Sequence, residues 1–256
     1  MQIHFFSTLS STMDKARELA RNNAPHFSVV VAEEQVKGRG RLNRVWLSDK
    51  GGLWFTVILR PILPPNLAFQ VNFCASLSIA KILKGKYGLD VSVKWPNDIL
   101  IRDKELVNSN EIFTNKKIAG LLSEMETSGD KVAFINIGIG INVNNDVNNS
   151  TKIERLKATS IRNILNKDIS KMDLLSSFLD EFEKQIVAIE SESISCIALI
   201  EEWKQMTSTI GKKVRIETFD GFYEGIAIDV EQTGALLIRD DFGTEKSIIY
   251  GDCFYK

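Results

Sequence analysis

Cysteine is scarce: Cys74, Cys196 and Cys253 are the three present, and no Cys-x-x-Cys occurs. That excludes a disulfide-stapled miniprotein, a zinc knuckle and a dithiol redox motif. Cys74 lies in an apolar stretch at helical spacing and is expected in the core. Histidine is scarcer still: His4 and His26 both lie near the amino end, which leaves no material for a His-based triad or a His-rich metal site. The first twenty residues lack a basic stretch followed by a long apolar one, so no secretory signal is expected. No window is read as long and apolar enough to span a membrane, and the expected location is the cytoplasm. An excess of one charge is also missing. Lys plus Arg number 32 and Asp plus Glu 33, a formal net charge of -1. Nothing here gives a general attraction to nucleic acid or membrane. No Gly-x-x-x-x-Gly-Lys-Ser/Thr and no Gly-x-Ser-x-Gly is found, excluding a P-loop and a nucleophile elbow.

What is present suits a globular chain of one to two domains: 256 residues, 44% hydrophobic and 25% charged. The composition changes near Gly211. From there to residue 256, short apolar runs meet at Asp220-Gly221 and Asp241-Phe242-Gly243, the pattern of a small antiparallel β barrel. At about 45 residues such a unit is marginal alone, so it is expected to dock on the larger part. We divide the chain into domains 1–208 and 209–256.

In the larger part, Ser11-Thr12-Met13-Asp14 reads as a capping box that opens a helix over 14–22. Strands are expected over 28–34 and from Gly52 to Pro61. A helix over 67–87 is expected to close at Gly88. Short strands 91–95 and 98–101 flank a Pro-Asn turn. A hairpin is expected from 118–125 and 132–143, and helices over 172–192 and 194–206. The polar segments 104–116 and 144–151 read as loops. Helices and strands are thus mixed along the larger part.

Four stretches could carry chemistry. Gly38-Arg39-Gly40-Arg41, with Arg44 close behind, alternates bare backbone with guanidinium groups that bind anions through two bonds. It would suit a polyphosphate or a carboxylate–phosphate pair; a solvated basic loop is the plainer alternative. Lys94-Trp95-Pro96-Asn97-Asp98 sets polar groups at a strand end, or is simply an Asx-stabilised turn. Lys116-Lys117-Ile118-Ala119-Gly120 offers a cation beside ligand-sized space, or lysines that guard a sheet edge. In 136–144 glycines alternate with isoleucines, giving a strand with one bare face for a flat ligand. It is not a dinucleotide fingerprint, since Val143 holds the third glycine's place. Many cations and no nucleophile favour electrostatic stabilisation of phosphoryl or acyl-phosphate chemistry over covalent catalysis.

Taken in order, these stretches resemble the biotin–protein ligases. The resemblance covers nearly the whole chain. It rests on Ser11-Thr12, Gln35-x-x-Gly38-Arg39-Gly40-Arg41, Trp46, Gly51-Gly52-Leu53-Trp54, the 94–98 stretch, Lys117-x-Ala119-Gly120, Gly138-x-Gly140-x-Asn142, Trp203 and the terminal β module. It implies an α+β, mixed-sheet catalytic domain of the class II synthetase type followed by an SH3-like barrel. It also implies a two-step reaction: biotin and ATP, with Mg2+ carried by the ATP, form biotinyl-5′-AMP, and a lysine of a biotin carboxyl carrier protein of an acyl-CoA carboxylase then takes the biotin. The roles it implies place Ser11, Thr12, Gln35, Gly38, Arg39, Gly40, Arg41, Lys117, Gly120 and Gly138 at biotin. Arg39, Arg41, Arg44, Trp46, Trp54, Asn97, Lys117 and Asn142 would serve the adenylate. Arg41, Lys117 and Asp98 would be catalytic, with Asp98 orienting or deprotonating the acceptor lysine, and no resident metal is expected. The loop 36–44 would order over the ligands.

The sequence departs from the family pattern at Met13, where Asn is usual, at Leu42-Asn43, and in the length of segment 104–116. The chain starts close to the Ser11-Thr12 helix, so no DNA-binding domain and no operator binding are expected; a homodimer is. A lipoate or octanoate ligase shares the fold but carries an Arg-Arg loop and a later His, which this chain lacks. A non-catalytic RNA-binding module would need a basic face, against a net charge of -1.

Overall fold

The structure is a computed structural model describing residues 1–107, 110–147, 158–192 and 194–256. Its elements run β1 (Ile3–Leu9), α1 (Thr12–Arg21), β2 (Ser28–Gln35), β3 (Leu53–Leu59), α2 (Phe69–Tyr87), β4 (Val91–Lys94), β5 (Asp98–Val107), β6 (Asn110–Ser128) and β7 (Lys131–Ile141). Then come α3 (Ile161–Leu165), α4 (Lys171–Glu190), α5 (Cys196–Met206), β8 (Lys213–Thr218), β9 (Gly221–Val230), β10 (Leu236–Arg239), β11 (Glu245–Ile248) and β12 (Asp252–Tyr255).

Strands β1 to β7 form one sheet in the order β1-β2-β3-β7-β6-β5-β4. The β1–β2 pair is parallel and the other pairs are antiparallel. Side chains alternate between the two faces, as the strand period of two requires. Phe55, Val57 and Leu59 of β3, with Ile135, Ile137, Ile139 and Ile141 of β7, pack with the buried residues of α2, α4 and α5. The opposite face carries a smaller cluster in which Ala16 and Ala20 of α1 meet Val30, Ile58 and Phe134. Next to it, Gly138 and Gly140 leave the sheet bare. The α+β fold with a mixed sheet is as the resemblance implies.

Several boundaries move. Helix α1 starts at Thr12 with Ser11 as its cap; Ser11 Oγ accepts from the Met13 amide. Asp14 turns away from the box towards Arg39 and Arg17. Helix α2 ends at Gly88, whose φ of 67° is the left-handed cap expected. With its lead-in, 65–87 is long and apolar enough to cross a membrane, contrary to the sequence reading, but 67% of that window is buried. Its all-round hydrophobicity comes from packing against the sheet on one side and α4 and α5 on the other.

Segment 104–116 is not a loop. It forms most of a hairpin in which β5 and β6 pair from Asp98↔Gly120 to Val107↔Asn110, with 108–109 outside the described residues. The hairpin outruns β4, which pairs only with 98–101. Residues 102–116 are mostly polar and show no apolar alternation, so the sequence hides the ribbon. Among its described side chains, Lys116 Nζ sits 2.6 Å from Asp103 and the Arg102 guanidinium 4.1 Å from the Phe113 ring. The β1 strand and short α3 were not foreseen. Of the expected loop 144–151, residues 148–151 lie outside the described ones.

Strands β8 to β12 form a second, antiparallel sheet in the order β11-β10-β9-β8-β12, the SH3-like module expected. Gly221 (φ 144°) and Gly243 (φ 85°) occupy its two anticipated turns. Trp95 joins the two parts: its backbone amide donates to Thr209 Oγ1 (3.0 Å) and its indole to the Gly234 carbonyl (3.1 Å).

Candidate functional site

A cavity of about 540 Å3 opens on the bare face of the large sheet, between the amino end of α1, the arginine loop, the β4–β5 turn and strand β12. That volume lies within the usual range for small-molecule sites.

The arginine loop is a folded hairpin. The Trp46 amide donates to the Gly38 carbonyl (2.9 Å), Gly40 to Arg44 (2.7 Å) and Arg44 to Arg41 (3.0 Å). Leu42 takes left-handed angles, φ 50° and ψ 39°, at the turn. A Cβ on Gly38 would lie 2.3 Å from the Trp46 carbonyl oxygen. Glycine is needed there for the loop to pack on itself, and Gly38 does not line the cavity.

Arg39, Arg41 and Arg44 all line it, but at separate points. Arg39 reaches Asp14 (2.7 Å) and Glu124 (3.4 Å). Arg41 donates to Asn97 Oδ1 at 3.4 Å. Arg44 meets Asp252 of β12 at 2.8 Å and lies 5.2 Å from the Phe254 ring. Burial lowers the pKa of Arg41, against the pull of Asp252 and Asp98.

The floor is built from glycines. Gly120 and Gly140 are cross-strand partners, and the Trp46 indole lies on both: added Cβ atoms would come within 2.9 and 2.5 Å of it. Gly138 makes the same room for Met13, at 2.6 Å from its sulfur. Trp54 stands behind Trp46, edge to face at 6.3 Å, with its indole donating to the Asp49 carbonyl (3.0 Å). Trp54 is fully buried and supports the wall without lining the cavity. Trp46 Nε1 is buried without a hydrogen-bond partner.

At the α1 end, the Thr12 amide and hydroxyl both donate to Gln35 Oε1 (2.7 and 3.0 Å), and Thr56 donates to Thr12 Oγ1 (2.9 Å). Gln35 Nε2 donates to Ser48 Oγ (2.8 Å). Thr12, Met13 and Gln35 line the cavity; Ser11 does not, since its hydroxyl is turned to the helix cap. At the other end Lys117 Nζ is 2.9 Å from Asp98 Oδ1 and 4.8 Å from the Trp46 ring centre. Lys94 Nζ is 3.7 Å from Asp98 Oδ2. Burial acts to raise the Asp98 pKa, but Lys117, Lys94 and Arg41 together outweigh it and hold the carboxyl below its ordinary range. Asn142 accepts from Asn145 Nδ2 (3.1 Å).

The structure thus gathers all the expected residues except Ser11, Gly38 and Trp54 around one cavity. Sequence reasoning missed Lys94, although it lies in a stretch already singled out. It also missed Asp252 and Phe254, which carry no local signal and arrive only through docking of the terminal module. Among the described residues no group of three or more His, Cys, Asp or Glu is placed to hold a metal ion.

Residues 5–142 match the Biotin/lipoate A/B protein ligase family, and residues 209–256 match the biotin protein ligase C terminal domain. This chain belongs to the biotin/lipoate A/B protein ligase family. As a member, it is 34% identical over 243 residues to the bifunctional ligase/repressor BirA of Bacillus subtilis, spanning 94% of this chain and 70% of that protein. It is 25% identical to a biotin–[acetyl-CoA-carboxylase] ligase of Paracoccus denitrificans, over 84% of this chain and 85% of that one. The ligase-family fold superposes with a TM-score of 0.76 on a biotin protein ligase from Aquifex aeolicus in complex with biotin and ATP, at 26% identity and with 100% and 98% of the two chains covered.

Proposed function

We propose that this chain activates biotin with ATP to biotinyl-5′-AMP and transfers the biotin to a lysine of a carrier protein. The observation that carries this reading is one cavity holding Arg41 and Lys117 at one end, a Thr12–Gln35 polar end, and a glycine floor under Trp46 between them. In the first step a biotin carboxylate oxygen attacks the α-phosphorus of ATP and pyrophosphate leaves. Negative charge concentrates on the α-phosphate, where Arg41 and Lys117 stabilise it. Arg44 meets the phosphate tail, Arg39 closes over the carboxylate side, and Asn97 and Asn142 position the adenylate. Thr12 and Gln35 exchange their mutual bonds for the ureido group, and Trp46 with Gly120, Gly138 and Gly140 forms the apolar wall. Divalent magnesium enters on the ATP phosphates as part of that substrate, in keeping with its preference for phosphate oxygens and water.

In the second step the acceptor's ε-ammonium gives a proton to Asp98, and the neutral amine attacks the acyl carbon. The amide C–N bond forms, and AMP leaves with the electron pair of the broken C–O bond. The second nitrogen proton then passes to water. We take residues 1–208 as the catalytic domain, 209–256 as the module that completes its site, the cytoplasm as the compartment and a homodimer as the assembly. The acceptor is the biotin carrier of an acyl-CoA carboxylase, and no operator DNA is bound. The test is ATP–pyrophosphate exchange with biotin, lipoate or octanoate supplied separately. Exchange with biotin alone is expected; exchange with lipoate or octanoate would assign the chain to the sister activity, and none with any acid would overturn the reading.

A further inference from the structure

Lys94 has no role in the reading above, yet it is the most deeply enclosed cation at the site. Its side chain is 3% exposed, against 17% for Lys117. It approaches Asp98 on the oxygen opposite to the one Lys117 holds. The aromatic rings of β12 cover it, with Nζ 5.9 Å from the Phe254 centre and 5.3 Å from that of Tyr255. An ammonium withdrawn from water this far has given up hydration that one carboxylate and two ring faces must replace.

We infer that Lys94 is a positioning residue for the transfer step, holding the Asp98 carboxylate ionised and in place once Lys117 has left it for the substrate. The inference rests on the roles proposed above for Lys117 and Asp98. In the role proposed for it at the α-phosphate, Lys117 turns its ammonium from the 2.9 Å contact with Asp98 towards the ligand. When it turns to the ligand, Asp98 loses its nearest counter-ion while keeping its shielded surroundings. Desolvation would then draw a proton on to the carboxyl and disarm it as a base. Lys94 prevents this because, among the described residues, Asp98 is the carboxylate its ammonium meets beneath the aromatic cover. The other charged and titratable groups facing Asp98 are Arg41 of the loop and Cys253 and Tyr255 of β12; Asp252 faces Arg41. Of these only Arg41 adds positive charge, and it too is committed to the ligand.

The test separates the two half-reactions in Lys94→Met, Lys94→Arg and Asp98→Asn. Each is assayed by biotin-dependent pyrophosphate exchange and by single-turnover transfer from preformed biotinyl-5′-AMP across a pH series. Lys94→Met is expected to slow transfer about 10²-fold more than exchange, the lower range for losing general acid–base help. It should also move the acid limb of transfer to higher pH, and Lys94→Arg should restore much of both. Equal losses in the two half-reactions with a raised KM for ATP would make Lys94 a phosphate ligand and overturn the inference. So would an unmoved acid limb. Asp98→Asn tells the inference from its foundation: normal transfer in that variant removes the base role and the inference with it. Impaired Asp98→Asn beside normal Lys94→Met removes the inference alone.

Discussion

Lys117 carries the sharpest expectation at the scale of single residues. Lys117→Ala is expected to keep the fold, since the side chain lies on the cavity wall, and to lose at least about 10²-fold in biotin-dependent exchange, as for removal of one preorganised charge-stabilising group; unchanged exchange with a normal circular-dichroism spectrum would remove its role. Gly140 is a second point. Gly140→Ala puts a methyl 2.5 Å from the Trp46 indole. The ring must tilt, and overpacking of this kind costs about 1–3 kcal/mol. Weaker ligand binding with altered tryptophan fluorescence should follow; wild-type affinity would show that the ring yields freely. Residue types legible in the sequence were those whose chemistry is local, namely the arginines, Lys117 and the floor glycines. Gly38 and Ser11 stand outside the cavity lining, Gly38 because the loop packs on it and Ser11 because its hydroxyl caps α1, and neither cause can be read from residue type alone.

Secondary elements were legible where one face is buried. The end of α2, strand β7 and the turns of the second sheet fell within a few residues of expectation, marked by a cap glycine, a buried face and turn residues, while β6 begins at Asn110 rather than at 118. The ribbon of β5 and β6 beyond 101 is mostly polar with no apolar alternation, and the edge strand β1 buries only part of a face, so both escaped. The arginine loop 36–44 shows what an element can do. Its hairpin bonds are few, and Arg39 and Arg44 are tied to Asp14 and Asp252 by pairs on the cavity rim. Ligand binding should cross-link this loop to the floor. Trypsin is therefore expected to cut at Arg39, Arg41 or Arg44 more slowly in the presence of biotin plus ATP. Equal cleavage rates with and without ligands would contradict a closing loop.

For the whole molecule, the two sheets matter as a unit, since the site draws Asp252 and Phe254 from a module more than a hundred residues distant in sequence from Asp98 or Arg44. No local pattern could announce that. Asp98 couples the site to overall stability. Its folded pKa is depressed, so its contribution is present above the unfolded carboxyl value near 4 and is lost as pH falls through the lower folded value. Asp98→Asn should thus melt well below the wild type at pH 7, with the gap narrowing towards pH 3; a gap constant with pH would contradict the depressed value. The same pairing has an electrical consequence. Arg39, Arg44 and Lys117 each face a carboxylate of the protein itself, so the ligand-free site is a set of closed circuits rather than a pool of open positive charge. An incoming anion replaces an anion already there, so binding takes up little new positive charge from the site. Affinity for ATP should accordingly decline only gently between about 0.05 and 0.5 M salt, where a bare cation cluster would be strongly screened. A ligand offering a single negative charge can open only one of these circuits, and the protein would in this way answer weakly to lone anions and fully to a carboxylate and a triphosphate presented together.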